Sequence, residues 1–407
     1  MSTESLTVGE TEEIRPYPTH SARLQVARIT TAFDFDGDAS MAEGFARDLV
    51  HELSRSLRSH SLLIAIILAH AAVAFTIPPL FGVTQEFSPS LFNPILLALT
   101  AGFITVGLCL YALYVMVAIR PRELVRHLAH DLKHRIFTAE RFAVTLPVLV
   151  ILPLMISSYS FLKVAIPAFA PFSWDPAFAD LDRALHGGYH PWELLQPLLG
   201  HPYVTAAING VYHLWIFVLY GILLWQMMST ARPKLRMQFL ITSALLWALV
   251  GNLAAILLSS AGPVYFGRIT GLPDPFAPLM AYLHATNEMV PVPALAVQDM
   301  LWQSYASHGV EIGRGISAMP SMHLATSLSF VLLGFAVHRW FGILLAAFAA
   351  LMLIGSVHLG WHYAIDGYVA IAMTWLIWRP VGWLLDRPAV DRLTGGYLTT
   401  PGGAQSP

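Results

Sequence analysis

The stretch from Gly315 to Asp366 carries two polar clusters, Met319–His323 and Ser356–Asp366, separated by two apolar runs. In the second cluster His362 and Asp366 stand four residues apart, a spacing that puts both on one face of a helix. Asp366 would hold one imidazole nitrogen of His362 and leave the other free to attack an electrophile. In the first cluster Pro320 suits the first position of a helix, where its missing N–H costs nothing. The helix start then falls at Ser321 to His323, with free N–H groups and a partial positive charge, an arrangement that favours anions and phosphate above all. Gly313 and Gly315 just upstream let the backbone approach a ligand closely. Two membrane crossings between the clusters return the chain to the same side of a bilayer, so His323, His362 and Asp366 are expected to meet.

This arrangement resembles the type 2 phosphatidic acid phosphatase superfamily of membrane lipid phosphatases and phosphotransferases. Pro320-Ser321-Met322-His323 matches its Pro-Ser-Gly-His motif, with Met in place of Gly. His362-x-x-x-Asp366 matches the His-x-x-x-Asp end of its last motif. The Arg that the superfamily carries six residues before that His is Ser356 here, and its first motif, Lys-x6-Arg-Pro, is not recognisable. The segment nearest to it in the right place runs from Ser260 to Arg268 and includes Tyr265. Degenerate motifs of this kind resemble the branch of the inositol phosphorylceramide synthases, and the resemblance spans Phe142 to Leu385. It implies a phosphohistidine on His362, oriented by Asp366. It also implies that His323 protonates the leaving oxygen and then activates water or an alcohol. The substrate would be a lipid phosphate, diphosphate or phosphodiester of sphingolipid or phospholipid metabolism, and the chemistry needs no metal or cofactor.

The elements that must position these residues follow from composition. Of 407 residues, 56% are hydrophobic and 12% charged, against about a quarter charged in a soluble domain. The chain therefore reads as an all-α integral membrane protein whose partner is the bilayer. A formal net charge of −2 argues against nucleic acid. The single cysteine, Cys109, says nothing about redox compartment. Eight apolar runs approach the ~20 residues that a span needs: 62–82, 93–119, 142–163, 203–228, 238–260, 319–338, 341–359 and 362–384, the last interrupted by Arg379. The expected organisation is a polar segment 1–61, two additional helices and a basic loop over 62–141, a six-helix core over 142–386 and a tail 387–407. Residues 1–60 lack a secretory signal, and Met41, Phe45, Leu49, Leu53 and Leu57 recur there at helical spacing. With the N-terminus cytoplasmic, the cytoplasmic segments hold 19 of the 23 Lys and Arg residues, as the positive-inside rule expects. Both termini are then cytoplasmic, in a bacterial inner or plasma membrane, and both polar clusters face the exterior.

Only Lys163, Arg183, Arg268 and Arg314 remain on the external side to neutralise a phosphate. Arg268 and Arg314 are the Arg residues nearest the two clusters and would grip it bidentately. With Ser321 and Tyr265 they complete the expected phosphate-binding group. His358, four residues before His362, opens a metal-ligand reading, against which Gly360 should break the helix. His70 and His213 lie inside spans. Asn209, Tyr212 and Asn252 either line a cavity or bond between helices. The external loop 174–199 reads as two short helices: Asp175-Pro176 caps the first, Phe178, Leu181 and Leu185 form its apolar stripe, and Gly187-Gly188 ends it, with Trp174 and Trp192 as interface anchors. The loop 262–318 contains a helix near 294–308 and is long enough for a lid. An alternative reading, prompted by Ser356 and the missing first motif, is an inactive lipid-binding, transport or scaffold protein on the same fold. Neither the lipid, the acceptor nor the oligomeric state is specified by the sequence.

Overall fold

The computed structural model describes residues 38–307 and 315–396, so Arg314 and Gly313 lie outside the described residues. Helix α1 (Asp38–Ser59) leads into α2 (Ser61–Phe81) and α3 (Asn93–Ile119). A short α4 (Leu124–Asp131) precedes α5 (Ala139–Val164). Two more short helices, α6 (Asp175–Leu185) and α7 (Pro191–Leu199), separate α5 from α8 (Pro202–Met228) and α9 (Pro233–Leu257). Next come α10 (Phe266–Thr270), α11 (Ala277–Met289) and α12 (Pro293–Ala306) in the long loop, then α13 (Met322–Val337), α14 (Arg339–His358) and α15 (Ala364–Leu385). No β-strand occurs among the described residues. Among the described residues, seven helices are long and apolar enough to cross a membrane, and α13 is a shorter apolar one. The protein is an all-α integral membrane protein.

The sixth expected span, 319–338, departs from expectation. It starts at Met322 rather than Met319, with Ser321 as its N-cap and Pro320 outside the helix. Neighbours take up the backbone N–H groups there: Met319 donates to Ser260 Oγ and Ser321 donates to the Asp366 carbonyl. Sixteen residues at 1.5 Å each give ~24 Å, short of the ~30 Å hydrocarbon core, so residues 315–321 complete the crossing as irregular chain inside the bundle. Such backbone is tolerated at membrane depth only when buried in protein or facing a cavity. Its α14 partner packs closely: a Cβ on Gly342 would lie 2.4 Å from the Phe335 ring. Arg379 does not interrupt α15, and its guanidinium lies over the Trp375 ring.

One apolar cluster joins α2, α5, α8, α9, α13 and α15 near the end of the bundle away from the polar clusters. Buried Arg236 fastens that end, donating to the carbonyls of Val144, Gln226 and Met227 and bonding His60 Nε2. Helix α2 is tied in by one intramembrane histidine: His70 bonds Ser158 Oγ at 2.8 Å through Nδ1 and Asn252 Oδ1 at 2.9 Å through Nε2. Helix α3 packs far less, with Leu96 and Val115 its only buried residues.

Replacing His70 by Leu removes both bonds and leaves the Asn252 oxygen without its partner inside the bundle. An unmet buried acceptor costs about 1–3 kcal/mol. His70→Leu should therefore unfold in detergent at a lower midpoint than the parent protein. An unchanged midpoint would show that α2 docks by apolar packing alone.

Candidate active site

The His362–Asp366 pair forms across a helix start, not along a helix face. Helix α14 ends at His358, Gly360 turns the chain at φ 72°, and α15 begins only at Ala364. His362 thus precedes the helix, while Asp366 is its third residue and completes a capping box with Tyr363, accepting its N–H at 3.1 Å. The same Oδ2 meets His362 Nδ1 at 3.1 Å. The expected pairing is present, in a geometry that the four-residue spacing did not specify: the carboxylate, already fixed by a backbone N–H, orients the imidazole. Asp366 is fully buried and His362 7% exposed, so water competes little for either group.

His323 comes from the first turn of α13. Its ring stacks on Tyr212, with centroids 4.5 Å apart, and leans on Trp215 at 4.1 Å. It faces the His362 ring with centroids 6.3 Å apart and planes at 66°. Both imidazoles open onto one cavity of about 410 Å³, whose wall also includes Lys163, Tyr212, Tyr265 and Trp361. The Tyr212 hydroxyl and the Trp361 indole N–H are buried there without a hydrogen-bond partner. Two imidazoles, one of them held by a buried carboxylate, and one primary amine thus line a single cavity, groups whose chemistry suits an anionic phosphorus centre.

The remaining sequence-predicted residues lie as follows. Ser321 is fully buried behind Pro320, with its Oγ unpartnered, and does not form part of the cavity wall. Tyr265 lines the cavity but spends its hydroxyl on the Gln298 carbonyl. Arg268 is exposed, its guanidinium 5.1 Å from the Trp302 ring centre, outside the wall. Lys163, on the last turn of α5, is the cation that lines it, and no carboxylate among the described residues pairs with it. His358 turns away, its Nε2 2.9 Å from Thr205 Oγ1. Ser356 donates to the Leu353 carbonyl of its own helix. His213 lines the cavity, whereas Asn209 and Asn252 bond between elements.

Two carboxylates that were not singled out for function hold this arrangement. Asp175 does not cap its own helix, whose N-cap is Trp174. Completely buried, it accepts from Ala261 N at 2.9 Å, Gly262 N at 2.8 Å and the Tyr363 hydroxyl at 2.9 Å. Asp182, two turns further along the same face, accepts from Ala364 N at 2.9 Å and Ile365 N at 3.2 Å, satisfying two of the orphan donors at the start of α15. Burial pushes both carboxyls above the ordinary carboxylate range, and these N–H donors pull them partway back. Gly262, at φ 97°, has Trp361 O 2.7 Å from where a Cβ would sit, so only glycine lets the 259–262 loop pass under the second cluster. Of the expected interface anchors, Trp174 is exposed, but Trp192 packs into the core beside the site.

Asp182→Asn keeps the shape and loses the charge, and its amide group cannot accept both N–H donors. The start of α15, and with it His362 and Asp366, should shift. kcat is expected to fall about tenfold or more, as misplaced catalytic groups do, with a smaller change in KM. Equal effects on both constants would make Asp182 a substrate-binding residue instead.

A family model described as the PAP2 superfamily matches residues 176–379, just over half of the chain. The match runs from the first turn of α6 into the last turns of α15, leaving α5 and Lys163 upstream of it. No curated protein and no solved structure matches the chain.

Proposed function

The chain belongs to the PAP2 superfamily, and from that premise we propose that it transfers the phosphoryl group of a lipid phosphate, diphosphate or phosphodiester through a phosphohistidine on His362. Superfamily membership supports phosphatase-type chemistry on lipid phosphates in general. The observation that carries the finer reading is the His362–Asp366 contact facing His323 across a cavity that also holds Lys163.

In the first step His362 Nε2 bonds to phosphorus as the bond to the leaving oxygen breaks, and His323 gives that oxygen a proton. Asp366 accepts the Nδ1–H and offsets the positive charge that grows on the ring. In the second step His323 takes a proton from water or an acceptor alcohol, whose oxygen bonds to phosphorus while the P–N bond breaks. Free imidazole and the phosphorylated or hydrolysed product remain. The first-turn amides of α13 and the Tyr212 and Trp361 donors serve the equatorial oxygens. A helix terminus contributes only about half a unit charge, so Lys163 supplies the full charge sought in Arg268 and Arg314. That removes the main motive for the inactive-scaffold reading. No metal is required by these steps.

The degenerate motifs favour an inositol phosphorylceramide synthase-like branch, with an alcohol as acceptor. The distribution of Lys and Arg favours an external active site and cytoplasmic termini.

His362→Ala should abolish turnover of labelled lipid phosphates while leaving behaviour in detergent unchanged, and the parent protein should yield an acid-labile phosphohistidine on rapid quenching. Near-normal turnover in this variant would remove His362 as nucleophile. His323→Ala should lose less rate on an activated aryl phosphate, whose leaving group needs little protonation, than on a lipid phosphate.

Lys163→Met is expected to slow phosphoryl transfer by a factor of ~100 or more, the scale of a lost transition-state donor. Arg268→Ala should stay within a few-fold of the parent. Full activity in Lys163→Met would return the charge to Arg314.

A further inference from the structure

The site cavity does not end at its polar wall. Tyr159, Ile216 and Trp247 line it and also line a second cavity of about 340 Å³. The Tyr159 and Trp247 rings meet edge to face at 4.4 Å between the two. This second chamber lies between α5, α8 and α9 on one side and the two N-terminal helices on the other: α2 contributes Leu63 and Ile67, α3 Ile95 and Leu99. Its lining is mostly apolar; the hydroxyl-bearing residues in it are Tyr159, Ser160, Tyr220 and Ser243, the last of which donates to the Phe239 carbonyl of its own helix. A third cavity, of about 280 Å³, follows, sharing Leu152, Tyr220 and Leu223 with the second and walled by Leu96 and Phe103 of α3.

We propose that this apolar tract holds one hydrocarbon chain of the lipid phosphate, and that α2 and α3 form the wall that makes the enzyme selective for long chains. The inference rests on the phosphoryl-transfer reading above, which places the phosphate beside His362 and Lys163. Three observations favour a hydrocarbon as occupant. The tract shares a wall, formed by Tyr159, Ile216 and Trp247, with the cavity that holds His323 and His362. Its exposed lining is overwhelmingly apolar, and an apolar cavity of less than half the second chamber's volume already stays dry and binds benzene. It is also long: from Lys163 to Leu149 along α5 is fourteen residues, or ~21 Å at 1.5 Å per residue, against ~15 Å for half of a hydrocarbon core. The loose packing of α3, with two buried residues among the 27 from Asn93 to Ile119, follows from the same arrangement. A helix that packed tightly on α5 and α8 would close the tract.

The test narrows the chamber from two independent walls, with Leu99→Trp on α3 and Ser243→Phe on α9. Each variant is assayed on a long-chain lipid phosphate and on a homologue whose chain is too short to pass Trp247. The long-to-short ratio of kcat/KM should fall about tenfold or more in both, the scale on which apolar pockets discriminate, with the loss in KM for the long chain. A ratio unchanged in both variants would overturn the proposal. As a measurement independent of folding defects, the parent protein and His362→Ala are photolabelled with a lipid phosphate bearing a diazirine at the end of its chain. Labelling should fall on peptides containing residues 92–99 and 240–247 in both proteins. Labelling confined to other surfaces would overturn the proposal even if the variants behaved as expected. Because His362→Ala retains the tract, chain labelling there together with undiminished turnover would sink the nucleophile and spare the tract. Absent turnover with labelling elsewhere would do the reverse.

Discussion

Two buried carboxylates on α6 are the constraint on which the site depends. Taking an ionised carboxylate out of water costs several kcal/mol unless its oxygens are met by donors. Asp175 meets this with two backbone N–H groups and a phenol, Asp182 with two backbone N–H groups. Hydrogen bonds to charged groups contribute roughly 1.5–3 kcal/mol each, so displacing either loop from α6 would forfeit several such bonds and strand a charge. The donors come from the 261–262 loop and from the start of α15, two segments far apart in the chain. A short helix outside the spans thereby fixes the second polar cluster, and the bond from Ser321 N to the Asp366 carbonyl transmits that position to the first.

The helical class and the approximate place of each apolar span could be read from the chain because an apolar run of about 20 residues has few other fates. The meeting of His323, His362 and Asp366 was legible for the same reason, since two crossings return the chain to one side. Local geometry was less so. The four-residue spacing of His362 and Asp366 suggested a shared helix face, yet Gly360 and the capping box at Tyr363 place the histidine before the helix. Pro320 carried the signature of a first helical position, but its neighbours' N–H groups bond to Ser260 Oγ and the Asp366 carbonyl, and these tertiary contacts outweigh a local preference. Asp175 was legible as a helix cap; that it would instead serve a loop 86 residues away is not encoded in local pattern.

The identity of the cation shows the same limit in electrostatic terms. Sequence proximity favoured Arg268 and Arg314; Arg314 lies outside the described residues, and Trp302 offers the Arg268 guanidinium a flat aromatic face outside the cavity, a contact that suits a weakly hydrated planar cation. Lys163 ends an apolar span, where a charge is costly to keep without a role, and that cost was the signal available in the sequence. A lysine gives a point charge without the planar fork of arginine. In the proposed mechanism the orientation of the phosphate must then come from elsewhere, and the amides at the start of α13 are the neutral donors next to His323.

The shortness of α13 links these features to the membrane. A helix of full span would carry its first turn to the end of the bundle, where water screens charge and competes for every donor. Ending it at Met322 sets His323 among Tyr212, Trp215 and Met322, with the buried chain of 315–320 behind it. Interactions between charges and dipoles strengthen several-fold as the surrounding dielectric falls from that of water toward that of protein. A reactive centre recessed in this way can use one lysine and a few neutral donors where an exposed one would need a cluster of arginines. The same recession sets both imidazoles at the depth at which Tyr159 and Trp247 separate the polar cavity from the apolar one, so in the proposed reading chemistry and the recognition of hydrocarbon share one wall.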